Sequence, residues 1–152
     1  MFGLDGLRRE IEGLDADVCE GAVVEMWTLI DMLTARATSL SEAYERSDVW
    51  AAEGASSYTA WLRHKCRRSS GEAHKILTYG RRMEKLPVLA KAWLDGRLSG
   101  GQINAVMSNL SDKTLPIFQE YEADFVPFLE RLSVKETVYA KARAMQRGGP
   151  LG

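Results

Sequence analysis

Apolar residues along this chain recur at helical spacing, and no strand-like alternation persists for more than a few positions. The clearest run is Val23, Met26, Ile30, Leu33, Ala37, Leu40 and Tyr44, separated by 3, 4, 3, 4, 3 and 4 residues. That is an a/d seam over three heptads. It predicts a helix from about Asp17 to Ser47, roughly 45 Å long at 1.5 Å per residue. Two partners fit the seam. In the plainer reading the helix is the spine of an antiparallel bundle; in the other the seam joins two molecules, with Trp27 on its flank.

Gly54 and the serines after it interrupt this pattern, and Ser56 or Ser57 is placed to cap a short helix carrying Tyr58, Trp61 and Leu62. A basic turn, Arg67-Arg68-Ser69-Ser70, follows. Ser69 and Glu72 have capping-box spacing, and Ala73, Ile76, Leu77, Gly80 and Met83 make one face of the next helix. Pro87 separates it from a helix with Leu89, Ala90, Trp93 and Leu94 that stops at Gly96. Ser99 with Gln102 opens a helix containing Ile103, Val106, Met107 and Leu110. Leu115, Phe118, Tyr121, Phe125, Phe128 and Leu132 form another, which Pro127 is expected to kink or split. Ser133 with Glu136 begins the last. The pattern predicts an all-α, single-domain bundle of about six or seven helices, with one long N-terminal spine helix and a helix-turn-helix-like central pair. The helical domain spans 14–147, after a flexible segment 1–13 and before a Gly/Pro tail or linker onset at 148–152.

A length of 152 residues with 45% hydrophobic and 27% charged residues suits one domain with its own core. No stretch approaches the roughly 18 apolar residues of a membrane span. No signal-peptide pattern opens the chain, and Cys19 and Cys66 lack CxxC spacing, so a reducing, cytoplasmic setting is expected. Net charge is −1, unevenly spread: residues 1–57 carry −8, residues 58–85 carry +6 and the remainder +1. An acidic head beside a basic centre suggests internal complementarity or a patch for a polyanion.

Catalytic patterns are absent from the sequence. His64 and His74 fall on different predicted helices, the cysteines lack ligand-like neighbours, and neither a nucleophile elbow nor a P-loop occurs. The reading is therefore not an enzyme, with no metal, cofactor or small-molecule substrate. The serines sit where helices need caps, and the four tryptophans read as core wedges.

Trp50, Gly54-Ala55, Ser57, Trp61-Leu62, then Ser70 and Ala73, Leu86-Pro87, and Leu94, Gly96, Leu98-Ser99 and Gln102 occur in a characteristic order. This order resembles the domain of unknown function 222 over residues 14 to 145. That actinobacterial domain, also met in phage, forms the N-terminal helical part of 13E12-repeat-family proteins and usually precedes an HNH endonuclease domain. The resemblance implies a helical accessory domain that works with DNA; the nuclease itself has no counterpart in this chain. Charged Cys66-Arg67-Arg68 replaces the family's usual glycine-containing turn.

Two functions are weighed. In the first, a DNA-associated accessory domain contacts phosphates of double-stranded DNA through Arg63, Lys65, Arg67, Arg68, Ser69, Ser70, Lys75 and Arg82. In the second, a protein-interaction or regulatory module pairs as a homodimer or with another protein, through a seam of Val23, Met26, Ile30, Leu33, Leu40 and Tyr44, without nucleic acid.

Overall fold

The computed structural model describes residues 3–108 and 110–146; the expected tail at 148–152 lies outside them. Among the described residues there are eight α-helices and no strand: α1 (Leu4–Glu12), α2 (Glu20–Ser47), α3 (Tyr58–Lys65), α4 (Ser70–Lys85), α5 (Pro87–Leu94), α6 (Gly100–Met107), α7 (Leu115–Leu129) and α8 (Val134–Gln146). A 3₁₀ turn, Val49–Glu53, links α2 to α3. The segment expected to be flexible thus contains a nine-residue helix between Gly3 and Gly13, with Asp5 favourably placed in its first turn.

The three capping boxes form as their spacing predicts. Ser69, Ser99 and Ser133 each accept from the backbone N–H three residues on, while Glu72, Gln102 and Glu136 accept from the capping residue's own N–H. Ser57 caps α3 by accepting from the Ala60 N–H at 3.1 Å.

The main core lies among α4 to α8. Leu86, Leu89, Trp93, Leu98, Ile103, Met107, Phe118, Phe125, Val126 and Leu129 are all buried there. A smaller cluster holds Tyr58, Leu62 and Ala73, with Tyr44, Trp50 and Trp61 against it. The Tyr58 and Trp61 rings stack at 5.6 Å, and the Tyr58 hydroxyl donates to the Ser41 carbonyl at 2.7 Å. Burial pushes that phenol up to about 12.

The long helix packs against α4 and α5, but not through its heptad seam. Its buried residues are Ala35, Thr38 and Glu42. Two features explain a small, polar contact stripe. At Gly80 of α4 an added Cβ would stand 2.8 Å from the Glu42 Cβ and 3.2 Å from the Thr38 carbonyl, so the two backbones meet where no side chain fits. One helical turn before Ala35, the Asp31 carboxylate accepts from the Gly100 N–H at 2.9 Å, at the start of α6. Gly96, at φ +77°, turns the chain from α5 towards α6 against Met32 and Thr28.

The apolar seam lies roughly 140° around the helix from that stripe, at about 100° per residue. Val23 is 57% exposed, Ile30 40%, Leu33 43% and Leu40 64%. The plainer expectation, a seam buried in the bundle, is therefore corrected: close approach at Gly80 selects the small side of the helix. Trp27, expected in the core, is 63% exposed. Tyr44 alone among the seam residues belongs to an aromatic cluster inside the chain, 5.1 Å from Trp61.

The expected break in α7 falls at Tyr121, with φ −130° and ψ 18°, rather than at Pro127. Beside it the buried Glu122 carboxylate accepts from the Leu89 N–H at 3.0 Å. This caps α5, whose own N-cap position, Leu86, offers no side-chain acceptor. Burial raises the Glu122 carboxyl, and the Leu89 and Val88 N–H groups offset part of that rise. Phe128, placed by pattern on the inner face of α7, is 55% exposed.

Candidate nucleic-acid interface

Helices α3 and α4 pack against each other across a four-residue turn, 66–69. Arg67 makes the reversal with φ +55°, a left-handed conformation in which side-chain-bearing residues are disfavoured by about 1–2 kcal/mol. The Cys66 and Arg68 N–H groups both donate to the Leu62 carbonyl, closing the end of α3. The arginine thus occupies a position at which glycine would be less strained.

Around this turn Arg63, His64, Lys65, Arg67, Arg68 and Lys75 are all exposed. Lys65 pairs with Glu53 at 3.1 Å, and Arg68 with Glu72 at 3.3 Å while also donating to the Cys66 carbonyl. Both pairs are solvent-exposed and so weakly held. Arg63 reaches the Ser70 hydroxyl at 3.4 Å, and Lys75 lies 5.8 Å from the Tyr79 ring centroid. Among the described residues, no carboxylate stands within 4.0 Å of the charged groups of Arg63, Arg67 or Lys75.

Two sequence expectations change. Arg82 does not share an open cationic side with Lys75: its guanidinium donates to the Met107 and Leu110 carbonyls, tying α4 to the chain leaving α6. The neighbouring Lys141 Nζ donates to the Ser108 carbonyl at 2.7 Å, and its burial, with Arg82 nearby, lowers its pKa. Ser69 is occupied by its cap. The Glu72 carboxylate, bonded to the Ser69 N–H and held below the usual carboxylate range chiefly by Ser69, takes up part of the positive helix start that a phosphate would use. Of the candidate residues, Arg63, Lys65, Arg67, Arg68 and Lys75 remain as exposed cations around the turn, with the Ser70 hydroxyl beside Arg63.

The sequence pattern did not reveal a groove beside this turn. About 640 Å³ of open space lies between α2 and the α3–α4 turn, lined on one side by Thr34, Ala37 and Ser41 and on the other by Cys66, Arg68, Glu72 and Lys75. The hydroxyls of Thr34 and Ser41 donate to the carbonyls four residues back, leaving their oxygens able to accept. Only the packing of α2 on α4 creates this space.

His64 and His74 are both exposed, on α3 and α4, and Cys19 and Cys66 are free and exposed. Among the described residues, no three His, Cys, Asp or Glu side chains gather as a metal site, and no helix is long and apolar enough to cross a membrane.

The motif residues between Trp50 and Gln102 are mainly architectural. Gly54 is left-handed at φ 86°; Leu62, Ala73, Leu86 and Leu98 are buried. The Gln102 amide donates to the Leu129 and Leu132 carbonyls and to the Thr137 hydroxyl, joining α6 to α7 and α8. No curated protein and no solved structure matches the chain. The model of the domain of unknown function DUF222 matches residues 20–124, more than half of the chain, and the protein belongs to that family.

Proposed function

We propose that this chain is a non-catalytic helical accessory domain that associates with double-stranded DNA, of the kind that precedes an HNH nuclease. The observation that carries the DNA association is Arg67. It is an exposed arginine held at φ +55°, amid Arg63, Lys65, Arg68 and Lys75. Backbone strain kept at an exposed charged residue is a feature of functional sites. Guanidinium groups suit phosphate oxygens because they donate several N–H bonds in a fixed fork. The link to a nuclease rests on the motif order from Trp50 to Gln102.

Phosphate contacts of this kind release counterions, so affinity falls with salt by about 0.9 log units per log unit of salt for each contact. Fluorescence anisotropy with a duplex at several salt concentrations measures that slope. The Arg63→Ala, Arg67→Gly, Arg68→Ala triple variant is expected to bind more weakly, with a slope reduced by up to about 3. Arg82→Ala is expected to lower stability through its lost carbonyl contacts without changing the slope. A folded triple variant with unchanged affinity and slope would falsify the proposal.

A further inference from the structure

The heptad seam of α2 faces away from its own bundle, and the question is what covers it. Val23, Ile30, Leu33 and Leu40 are 40% to 64% exposed, with Trp27 at 63% and Leu29 at 48% on the flanks. Together with Met26 and Ala37 they present, from their fractional exposures, an apolar strip of roughly 600 Å², at the top of the range for the largest patch on a monomer; two such strips together reach the low end of a standard interface. Its periodicity is that of a helix meeting another helix.

We propose that a second copy of this chain covers the seam, with the two α2 helices antiparallel. The heptad register is self-complementary in that direction. About a midpoint between Asp31 and Met32, Ile30 meets Leu33 of the second copy, Met26 meets Ala37, and Val23 meets Leu40. Each contact then occurs twice, as a two-fold interface requires.

Two further observations favour this occupant. First, the groove between α2 and the α3–α4 turn opens beside the seam, sharing Ala37 with it. The indole of Trp27, on the flank of the approaching helix, has room there, where one chain alone leaves the space open. Second, charge is complementary between copies. Glu10, Glu12, Asp15, Asp17, Glu20 and Glu25 are exposed, and no ion pair to them occurs among the described residues. Antiparallel pairing carries this acidic end of one copy towards the half of the other α2 beside which Lys75, without an ion pair among the described residues, lines the groove together with Arg68 and its partner Glu72.

The test uses the whole chain. Sedimentation equilibrium at tens of micromolar is expected to give twice the 17.0 kDa chain mass. Ile30→Glu and Leu33→Glu, at exposed positions, are expected to weaken association roughly 100-fold or more while leaving helicity and melting of the monomer intact. For direction, Ala43→Cys in a Cys19→Ser, Cys66→Ser background carries a nitroxide. Electron–electron distance measurement is expected to give roughly 35 Å between copies for the antiparallel register, against about 10 Å for parallel helices. A monomer at those concentrations, or a dimer indifferent to both glutamates, overturns the proposal; a short label distance overturns its antiparallel register.

Discussion

Helices α5 to α7 place most of their large apolar side chains in the core, whereas the first half of α2 leaves its own in solvent. Both regions have helical apolar periodicity, so the contrast does not lie in the pattern. It lies in what the tertiary arrangement puts opposite each face. Leu89, Trp93, Ile103 and Phe118 each meet other helices of the same chain. Val23, Ile30 and Leu33 stay 40% to 57% exposed, because α2 approaches α4 through Ala35, Thr38 and Glu42 instead. An amphipathic pattern therefore reports that a face is suited to burial; it does not name the molecule that buries it.

The contrast is tested most severely by truncation. Phe118→Ala is expected to cost about 3–5 kcal/mol in urea unfolding, as a large aromatic leaving a closed core. Trp27→Ala, made in the monomeric Ile30→Glu background, is expected to stay within about 0.5 kcal/mol. A large loss at Trp27 in that background would place this tryptophan in the intramolecular core. The close α2–α4 contact gives the next effect. Gly80→Ala is expected to destabilise by about 1–3 kcal/mol, since its Cβ must displace Glu42 or the Thr38 backbone. Gly71→Ala, with open space at its Cβ, is expected to stabilise by about 0.5 kcal/mol.

Two helix-capping carboxylates extend the comparison to pH. Glu122, raised by burial, contributes stability that is present below its unfolded pKa and lost as pH rises through the higher folded value. Glu72, lowered chiefly by its bonds to Ser69, contributes stability present above its unfolded pKa and lost as pH falls through the lower folded value. Thermal melts from pH 3 to pH 8, approximately the span of both titrations, are expected to lose the first dependence in Glu122→Gln and the second in Glu72→Gln. Parallel behaviour of the two variants would contradict the difference in burial. A similarly small effect is expected at the turn: Arg67→Gly raises stability by about 0.5 kcal/mol, because relief of the left-handed strain is offset by glycine's greater unfolded-state entropy.

The candidate interface was only partly legible beforehand. The basic turn and its cap were, since Ser69 and Glu72 lie three residues apart and any helix starting there brings them together. Arg82 was not. Its spacing from Lys75 is close to two helical turns, which suggested a shared cationic side, yet its long side chain reaches carbonyls 25 and 28 residues further on. Asp31, Glu122 and Lys141 were missed for the same reason. Each completes the hydrogen bonding of a helix end that lies far along the chain, and nothing in its own neighbourhood marks it.

The division follows from the range of the forces. Helix identity, the three capping boxes and the glycine turns depend on bonds within a few residues, so they can be read from the chain itself. Which side of α2 is covered depends on Gly80 admitting another backbone, on Asp31 finding the start of α6, and on the close fit among α4 to α8. Those are properties of packed surfaces brought together from distant positions, and they leave the most regular apolar stripe of the molecule turned outward.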